Sequence, residues 1–204
     1  YETKNNPKGL NLFRDRINVE LLRDKIKRQE FFDFLKNNKA EAKGIIYSHH
    51  EAHMYSALCF SGYENSLIIT SDGRGDFESL SVSEYKKGKV KKIYSATSND
   101  SLGTFYARVS KLLGFKPHRH EGKVTGLSAN GDYRKCINLF QKMIKFKGGK
   151  IYGINGDYYK SFHDDYGKFK AWSNEAKKKL KNFKKIDIAA AAQKHLEDIL
   201  LKMV

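Results

Sequence analysis

The stretch GIIYSHHEAH, residues 44–53, joins a short apolar segment to the start of a histidine-rich helix. The apolar run at 44–47 predicts a strand, and apolar side chains then recur at helical spacing until Gly62. We therefore predict a strand-to-helix junction. The histidines lie at the mouth of the predicted strand, which is where open α/β sheets place their ligands.

Two histidines in this stretch are spaced for a shared metal ion. His49 and His53 are four residues apart, so on a helix their rings project from the same face. Two such imidazoles can bind one divalent ion, whereas His50 points elsewhere. An alternative stays open, because histidines at a helix start also serve as surface or capping residues. Glu51 does not directly follow His49, so the stretch is not the HExxH motif of zinc proteases.

Length and composition indicate a folded protein. The chain has 204 residues, of which 40% are hydrophobic and 13% aromatic, and these values are typical of globular rather than disordered proteins. We expect one domain, or one domain with a small appendage. The longest uncharged apolar runs, at 44–47 and 66–71, fall far short of the roughly 20 residues that cross a bilayer, so we expect no membrane segment.

The basic charge raises the question of a nucleic-acid partner. The chain has 39 Lys and Arg against 23 Asp and Glu, a formal net charge of +16. The lysines are scattered, as at 86–89 and 177–179, and are not interleaved with aromatic residues as in a binding module. The pattern therefore favours a solvated surface over a nucleic-acid interface, and it is also compatible with small anionic phosphates.

The two cysteines, Cys59 and Cys136, favour a reducing cytoplasm. Each lies in an apolar helical pattern, without the density of a secreted disulfide scaffold or the CxxC spacing of a zinc site. We expect Cys59 in the core rather than as a nucleophile, because no base is close in sequence.

The strands after the histidine helix are predicted from alternation and turn residues. A strand at 67–70 ends in SDGRGD, residues 71–76, which is a turn by composition. Strands at 79–85 and 89–96 then form a hairpin across Lys87 and Gly88.

The second half of the chain is predicted to be mainly helical. A helix runs from Ser101 to Leu113, a second covers 133–146, and a strand covers 149–154. A final helix is capped by Asp187. Residues 158–183 are aromatic and charged and receive no assignment.

Two glycine-containing segments are candidates for contact with a phosphate. In the turn at 71–76, Gly73 and Gly75 let the backbone approach a phosphate, and Asp72 can orient a metal or its bound water. In the second segment, Gly122 precedes Lys123, whose ammonium group can meet a phosphate or a carbonyl. The alternatives are a hairpin turn and a solvated surface lysine.

Five segments in this order resemble a known family, the carbamoyltransferases that modify antibiotics and nodulation factors. The segments are HHEAH at 49–53, SDGRGD at 71–76, SLG at 101–103, EGKVTGL at 121–127 and DIAA at 187–190. The resemblance covers residues 44–204 well and 1–43 weakly. The helical spacing of apolar residues predicts that 1–43 form a helical connector, and the resemblance implies that 44–204 are part of the carbamoyltransferase domain, truncated at both ends.

The resemblance implies an α/β domain with a ribonuclease-H-like core, of the actin-like ATPase (ASKHA) fold. It also implies ATP-dependent chemistry, in which carbamoyl phosphate and ATP give a carbamoyl-adenylate whose carbamoyl group passes to the hydroxyl of a small acceptor. His49 and His53 match the family's HxxxH metal motif, which commonly holds iron. Asp72, Gly73 and Gly75 match the loop that faces the adenylate.

Gly122 and Lys123 match a glycine-rich segment near the same cleft, so Asp72 and Lys123 are the catalytic candidates. Thr125 and the stretch at 128–130 depart from the family pattern, which affects packing more than chemistry. The family's phosphate loop and the domain that makes the adenylate lie outside these residues, so we expect the isolated chain to be inactive. Two alternatives remain: a relative of the tRNA threonylcarbamoyl-transfer protein, and a non-catalytic interaction domain of the same fold.

Overall fold

The computed structural model of the chain describes residues 23–38, 45–153 and 174–204. The helices are α1 (Arg23–Asn37), α2 (His49–Ser61), α3 (Leu102–Leu112), α4 (Glu121–Ser128), α5 (Ile137–Met143), α6 (Asn174–Leu180) and α7 (Lys185–Met203). The strands are β1 (Asn65–Gly75), β2 (Glu78–Lys86), β3 (Lys89–Thr97), β4 (Lys145–Lys147) and β5 (Lys150–Tyr152). The chain therefore has a mixed α/β fold.

The main sheet is an antiparallel meander in the order β1-β2-β3, and β4 and β5 form a separate hairpin. Two-residue turns join the meander, at Asp76 and Phe77 and at Lys87 and Gly88. All four turn residues have positive φ, as the right-handed strand twist requires of such turns. The hairpin predicted at 79–96 is confirmed.

The middle strand is buried on both faces because helices cover the sheet from both sides. Leu80 and Val82 of β2 belong to the apolar core, into which α3 packs. The alternate residues of β2 face the opposite side of the sheet. Ser81 lies on this side, against which α2 packs. The metal-binding candidates on α2 are thus fixed to a sheet whose opposite face is anchored in the core.

The core lies between the sheet and the later helices. Phe105 of α3 meets Phe140 of α5 edge to face, with ring centroids 5.9 Å apart. Small alanines at 189, 191 and 192 let α7 pack closely against these helices. The region predicted as one helix at 133–146 is instead a 3-10 turn, the short helix α5 and the strand β4. The single-helix prediction is wrong because Cys136 has φ −140° and Ile144 is extended, which ends α5 on both sides.

Two further predictions differ from the structure, and a third segment without a predicted element is helical. Ile45 to Tyr47 are exposed and form no strand, since none of the described strands pairs with them. The strand predicted to end at Thr70 continues to Gly75 through an irregularity between Ser71 and Gly75, so SDGRG is strand and the turn comes after it. The glycine-rich segment at 121–128 is the helix α4, in which Val124 is fully buried.

Helix starts illustrate why capping is harder to predict than helix existence. Ser101, predicted as the first residue of the helix, is its N-cap, and its hydroxyl accepts the N–H of Thr104. Asp187 does not cap α7, which begins at Lys185. Its carboxylate is instead buried and accepts the Asp132 N–H and the Lys135 ammonium.

The described part of the chain has no helix that is both long and apolar enough to cross a membrane. The boundary predicted between 43 and 44 stays a prediction, although α1 does lie within the region predicted to be helical. Ile154 and most of the unassigned stretch at 158–183 lie outside the described residues.

Candidate metal centre

The histidine cluster sits on the first turn of α2, which a capping box fixes in place. The Ser48 hydroxyl accepts the Glu51 N–H at 3.2 Å, and the Glu51 carboxylate accepts the Ser48 N–H at 3.3 Å. Gly62 ends the helix in the left-handed conformation. The sequence thus defines both ends of the helix on which the two candidate ligands are one turn apart.

Three side chains converge at this point. His49 Nε2 lies 2.7 Å from Asp72 Oδ2 and 3.1 Å from His53 Nε2, and His53 Nε2 lies 3.8 Å from Asp72 Oδ2. Asp72 comes from β1, which passes beside the start of α2. The spacing prediction for the two histidines is confirmed as geometry, and Asp72 joins them as a third candidate ligand.

The cluster has few hydrogen atoms for its contacts. A carboxylate only accepts hydrogen bonds, so His49 Nε2 must donate in order to bond to Asp72. In that state the same nitrogen cannot accept a hydrogen bond from His53 Nε2, 3.1 Å away, and it satisfies both contacts only by sharing its one hydrogen between them. A cation would satisfy the lone pairs of all three atoms at once. The donor set therefore fits a metal ion better than it fits a hydrogen-bond network.

The spacing of the three atoms also fits one ion. A divalent ion bonds to imidazole nitrogen and carboxylate oxygen at about 2.0–2.2 Å, which puts neighbouring ligand atoms about 3 Å apart. All three atoms lie within 4.8 Å of one another. The side chains are 40 to 54% exposed, so an ion and further ligands can reach them.

The carboxylate is kept ionised at this position. Burial acts to raise the pKa of Asp72, but hydrogen bonds from His49 and the Gly73 N–H, together with the nearby histidine rings, lower it below its usual value. An ionised carboxylate beside two imidazoles is the protonation state that metal binding requires.

His50 points away from the cluster, as predicted, into the sheet. Its Nδ1 lies 2.7 Å from the Thr70 hydroxyl, which is in turn 2.7 Å from the Ser81 hydroxyl. Burial lowers the pKa of His50, and the nearby Glu78 backbone opposes this shift. The ring is 1% exposed and attaches the first turn of α2 to the sheet.

Gly73 and Gly75, both in β1, have different surroundings. A Cβ at Gly73 would meet nothing within 4 Å, so this side of the strand is open. A Cβ at Gly75 would lie 2.1 Å from the His49 ring, so glycine is needed there to make room for His49. The start of α3 fixes the backbone of Gly73, because the Gly73 carbonyl accepts hydrogen bonds from the hydroxyls of Ser101 and Thr104.

Lys123 and Gly122 lie on the exposed side of α4, which packs against α7 and α3. No hydrogen bond or ion pair found among the described residues joins Lys123 to the histidine cluster. The structure thus brings together His49, His53 and Asp72, with Gly73 and Gly75 next to them, but it does not connect the second predicted segment to them.

Sequence reasoning missed three residues that shape the site. Gly103 approaches β1 so closely that a Cβ would be 2.8 Å from the Asp72 carbonyl oxygen. Asp76 accepts the His49 N–H at 2.8 Å, and Ser101 donates to the Gly73 carbonyl at 2.6 Å. All three lie in segments that carried the family resemblance, SDGRGD and SLG, but neither segment indicated these contacts. Cys59, expected in the core, is exposed on α2.

Comparison with known proteins defines the family. The model of the family described as "Carbamoyltransferase N-terminus" matches residues 4–204. The chain therefore belongs to the carbamoyltransferase N-terminal family, and the resemblance read from the five segments is confirmed.

Several relatives are also similar to this chain. An uncharacterized protein of Methanocaldococcus jannaschii is 31% identical over 194 residues, which cover 93% of this chain and 36% of that protein. Nodulation protein NolNO of Sinorhizobium fredii is 38% identical over 108 residues, covering 52% of this chain and 16% of the relative. Nodulation protein NolO of Bradyrhizobium diazoefficiens is 33% identical over 108 residues, covering 52% and 20%. The chain thus spans well under half the length of each of these relatives.

Proposed function

We propose that this chain is the metal-bearing part of an ATP-dependent O-carbamoyltransferase. Carbamoyl phosphate is hydrolysed to carbamate and phosphate, and a carbamate oxygen attacks the α-phosphorus of ATP, which expels pyrophosphate and gives the carbamoyl-adenylate. The hydroxyl oxygen of an acceptor then attacks the carbamoyl carbon, AMP leaves, and the hydroxyl proton is lost. The observation that carries the proposal is the convergence of His49, His53 and Asp72 on one point, in a chain of the carbamoyltransferase family.

His49, His53 and Asp72 would hold the metal, and two histidines with one carboxylate is a set that suits iron in the divalent state. The ion would supply Lewis acidity toward the carbamoyl oxygen and neutralise phosphate charge. Three protein ligands leave coordination positions open for substrate oxygens.

The nucleotide would lie along the open side of β1. Gly73 leaves space for a phosphate there, and Gly75, next to His49, lets the loop stay close to the metal ligands. Lys123, preceded by Gly122, has an exposed ammonium group that is available to an anionic phosphate. We propose Asp72 and Lys123 as catalytic residues, with Gly73, Gly75, Gly122 and Lys123 contacting the adenylate together with Asp72.

We propose the ribonuclease-H-like, actin-like ATPase fold for the domain to which this chain contributes. An antiparallel meander with helices on both faces supports it. The adenylate-forming part belongs to the rest of the parent polypeptide, so the chain alone would be inactive. The low cysteine content supports a reducing cytoplasmic location.

The acceptor would be a small molecule with a free hydroxyl. Membership of the carbamoyltransferase family supports a small acceptor over tRNA. The net charge of +16 favours the tRNA alternative, and salt dependence separates the two. Binding of tRNA falls steeply as salt rises, because phosphate contacts release counterions, whereas recognition of a neutral hydroxyl acceptor does not.

Elemental analysis tests the proposal. The chain is loaded with Fe²⁺ without oxygen, desalted, and compared with His49→Ala, His53→Ala and Asp72→Asn. We expect about one metal per chain in the wild type and background levels in each variant, because three ligands are the minimum for this kind of site. His118→Asn is the matched control, since His118 is an exposed histidine outside the cluster and its positive φ suits asparagine.

Metal retained by all three variants would contradict the proposed ligands. Absence of metal from the wild type would contradict the metal centre altogether and favour the non-catalytic interaction domain.

A further inference from the structure

The turn between β1 and β2 is held in an unusual conformation beside the histidine cluster. Asp76 has φ +52° and Phe77 φ +68°, so two consecutive non-glycine residues adopt the left-handed region. This conformation is costly for a large residue such as phenylalanine and persists only where surrounding contacts enforce it. The contacts of Asp76 identify what this turn supports.

The Asp76 carboxylate contacts the backbone of a candidate metal ligand. Its Oδ2 accepts the His49 N–H at 2.8 Å. This N–H is one of the first in α2 and has no partner within the helix, and Ser48 already satisfies the N–H of Glu51. The negative charge also lies at the positive end of the α2 dipole. Asp76 therefore fixes the helix start from outside, independently of the capping box.

The adjacent residue clears the space that the His49 ring occupies. A Cβ at Gly75 would lie 2.1 Å from that ring. Gly75 and Asp76 therefore position His49 together. Gly75 leaves room for the imidazole ring, and Asp76 binds the His49 backbone N–H.

The other carboxylate oxygen of Asp76 reaches the N-terminal helix. Arg28 of α1 donates to Asp76 Oδ1 at 2.9 Å. The Arg28 and Asp76 side chains are 47% and 28% exposed, so the ion pair is only partly shielded from water. One carboxylate therefore links α1 to the first turn of α2.

We propose that Asp76 is a positioning residue for His49, and that the Arg28 ion pair couples α1 to the metal centre through it. The inference rests on the proposed metal site. Outer contacts of this kind orient a ligand and usually change metal affinity by about 10- to 100-fold when removed. An exposed ion pair is worth less, so loss of Arg28 should weaken metal binding by about two- to fivefold.

The test compares Co²⁺ binding by calorimetry and visible spectroscopy in the wild type, Asp76→Gly, Asp76→Asn and Arg28→Gln. Glycine removes both contacts and tolerates the positive φ, so backbone strain cannot explain a loss. Asparagine also tolerates this φ and keeps an oxygen for the His49 N–H, but it loses the charge facing Arg28.

We expect about tenfold weaker binding or more in Asp76→Gly, with a changed Co²⁺ spectrum. Asp76→Asn should recover most of the affinity and match Arg28→Gln. Binding by Asp76→Gly at the wild-type affinity and with the wild-type spectrum would overturn the positioning role. Wild-type affinity in Arg28→Gln would overturn the coupling to α1.

A second measurement on the wild type keeps the proposal testable if Asp76→Gly does not fold. The His49 amide should exchange slowly with solvent deuterium, because Asp76 accepts its hydrogen. Fast exchange would overturn the contact itself. Absence of Co²⁺ binding by the wild type would instead contradict the metal centre proposed above, and the positioning role with it.

Discussion

Gly75 shows how much of the site depends on a missing side chain. The His49 ring occupies the space that a Cβ would need and contacts Asp72 and His53, while the Asp76 carboxylate accepts the His49 backbone N–H. Glycine is often explained by the positive φ that it alone adopts easily. The φ of Gly75 lies outside the left-handed region, so glycine is required here because a side chain would overlap the His49 ring.

The first prediction is for Gly75→Ala. The new methyl group must push the His49 ring away from Asp72, so Co²⁺ affinity should fall by about tenfold or more. Gly73→Ala is the matched control, since nothing lies within 4 Å of its Cβ position. Calorimetric titration of both variants measures the effect, and equal affinities would show that His49 can move without loss.

The second prediction is that the two thiols react differently with a disulfide reagent in the folded chain. Burial raises the pKa of Cys136 to about 11, with Asp187 contributing, whereas Cys59 is exposed. We expect one thiol to react in the native state and two in denaturant, because the thiolate is the reactive form. Cys59→Ser should abolish the native reaction, and a reaction that persists would contradict the burial of Cys136.

At the scale of elements, α3 and β1 position Asp72 together. Ser101 caps α3 and donates to the Gly73 carbonyl, and Gly103 permits close approach to Asp72. The cap was predictable from sequence because the signal is local. The contact with β1, 28 residues away, was not, because no local pattern records which strand a helix start will meet.

The third prediction is for Ser101→Ala. Loss of the cap and of the bond to Gly73 should lower the free energy of unfolding by about 1–2 kcal/mol. Ser56→Ala is the control, since among the described residues its exposed hydroxyl bonds only to the Ala52 carbonyl within α2, and its loss should cost under about 0.5 kcal/mol. Urea denaturation measures the free energy of unfolding of both variants. An equal loss of free energy in the two would contradict the proposal that Ser101 connects α3 to β1.

Elements were predicted best where the pattern was local and strong. The hairpin across Lys87 and Gly88 and the α3 helix follow from alternation, turn residues and helical spacing. The helix α4 was missed because glycines at 122 and 126 oppose helix formation, and burial of Val124 outweighs them. The role of Asp187 was misread because its partners, Asp132 and Lys135, lie more than 50 residues away.

At the scale of the whole molecule, a buried histidine makes stability depend on pH. His195 is 5% exposed in the core, and its Nε2–H donates to the Ile144 carbonyl at 2.8 Å. Burial lowers its pKa, which the Ile144 contact and Asp198 partly offset, while Lys202 adds to the lowering. The folded chain therefore keeps this ring neutral where the unfolded chain would protonate it.

The fourth prediction follows from that sign. Above the His pKa of the unfolded chain, about 6.5, His195 makes its full contribution to the free energy of unfolding. As pH falls from there toward the lower pKa of the folded chain, that free energy declines by at most about 1.4 kcal/mol per pH unit. His195→Gln, which can still donate to Ile144, should show a shallower decline between about pH 7 and pH 5 in urea denaturation. A slope in His195→Gln equal to that of the wild type would contradict the assignment.

The candidate site was partly predictable at this scale. His49 and His53 follow from spacing, and Asp72 follows as a possible partner from its position after a strand. Their convergence could not be predicted, because it depends on tertiary structure. The contacts of Asp76 and Arg28 could not be predicted for the same reason, since they depend on how α1, α2 and the β1–β2 turn lie relative to one another.

X-ray absorption at the iron edge of the anaerobically loaded chain tests the metal centre most directly. We predict one iron per chain in a nitrogen- and oxygen-ligand environment, with the scattering pattern of two imidazoles. His53→Ala should reduce that pattern to a single imidazole or abolish binding. Iron without imidazole scattering, or a spectrum that His53→Ala leaves unchanged, would contradict a centre built on His49, His53 and Asp72.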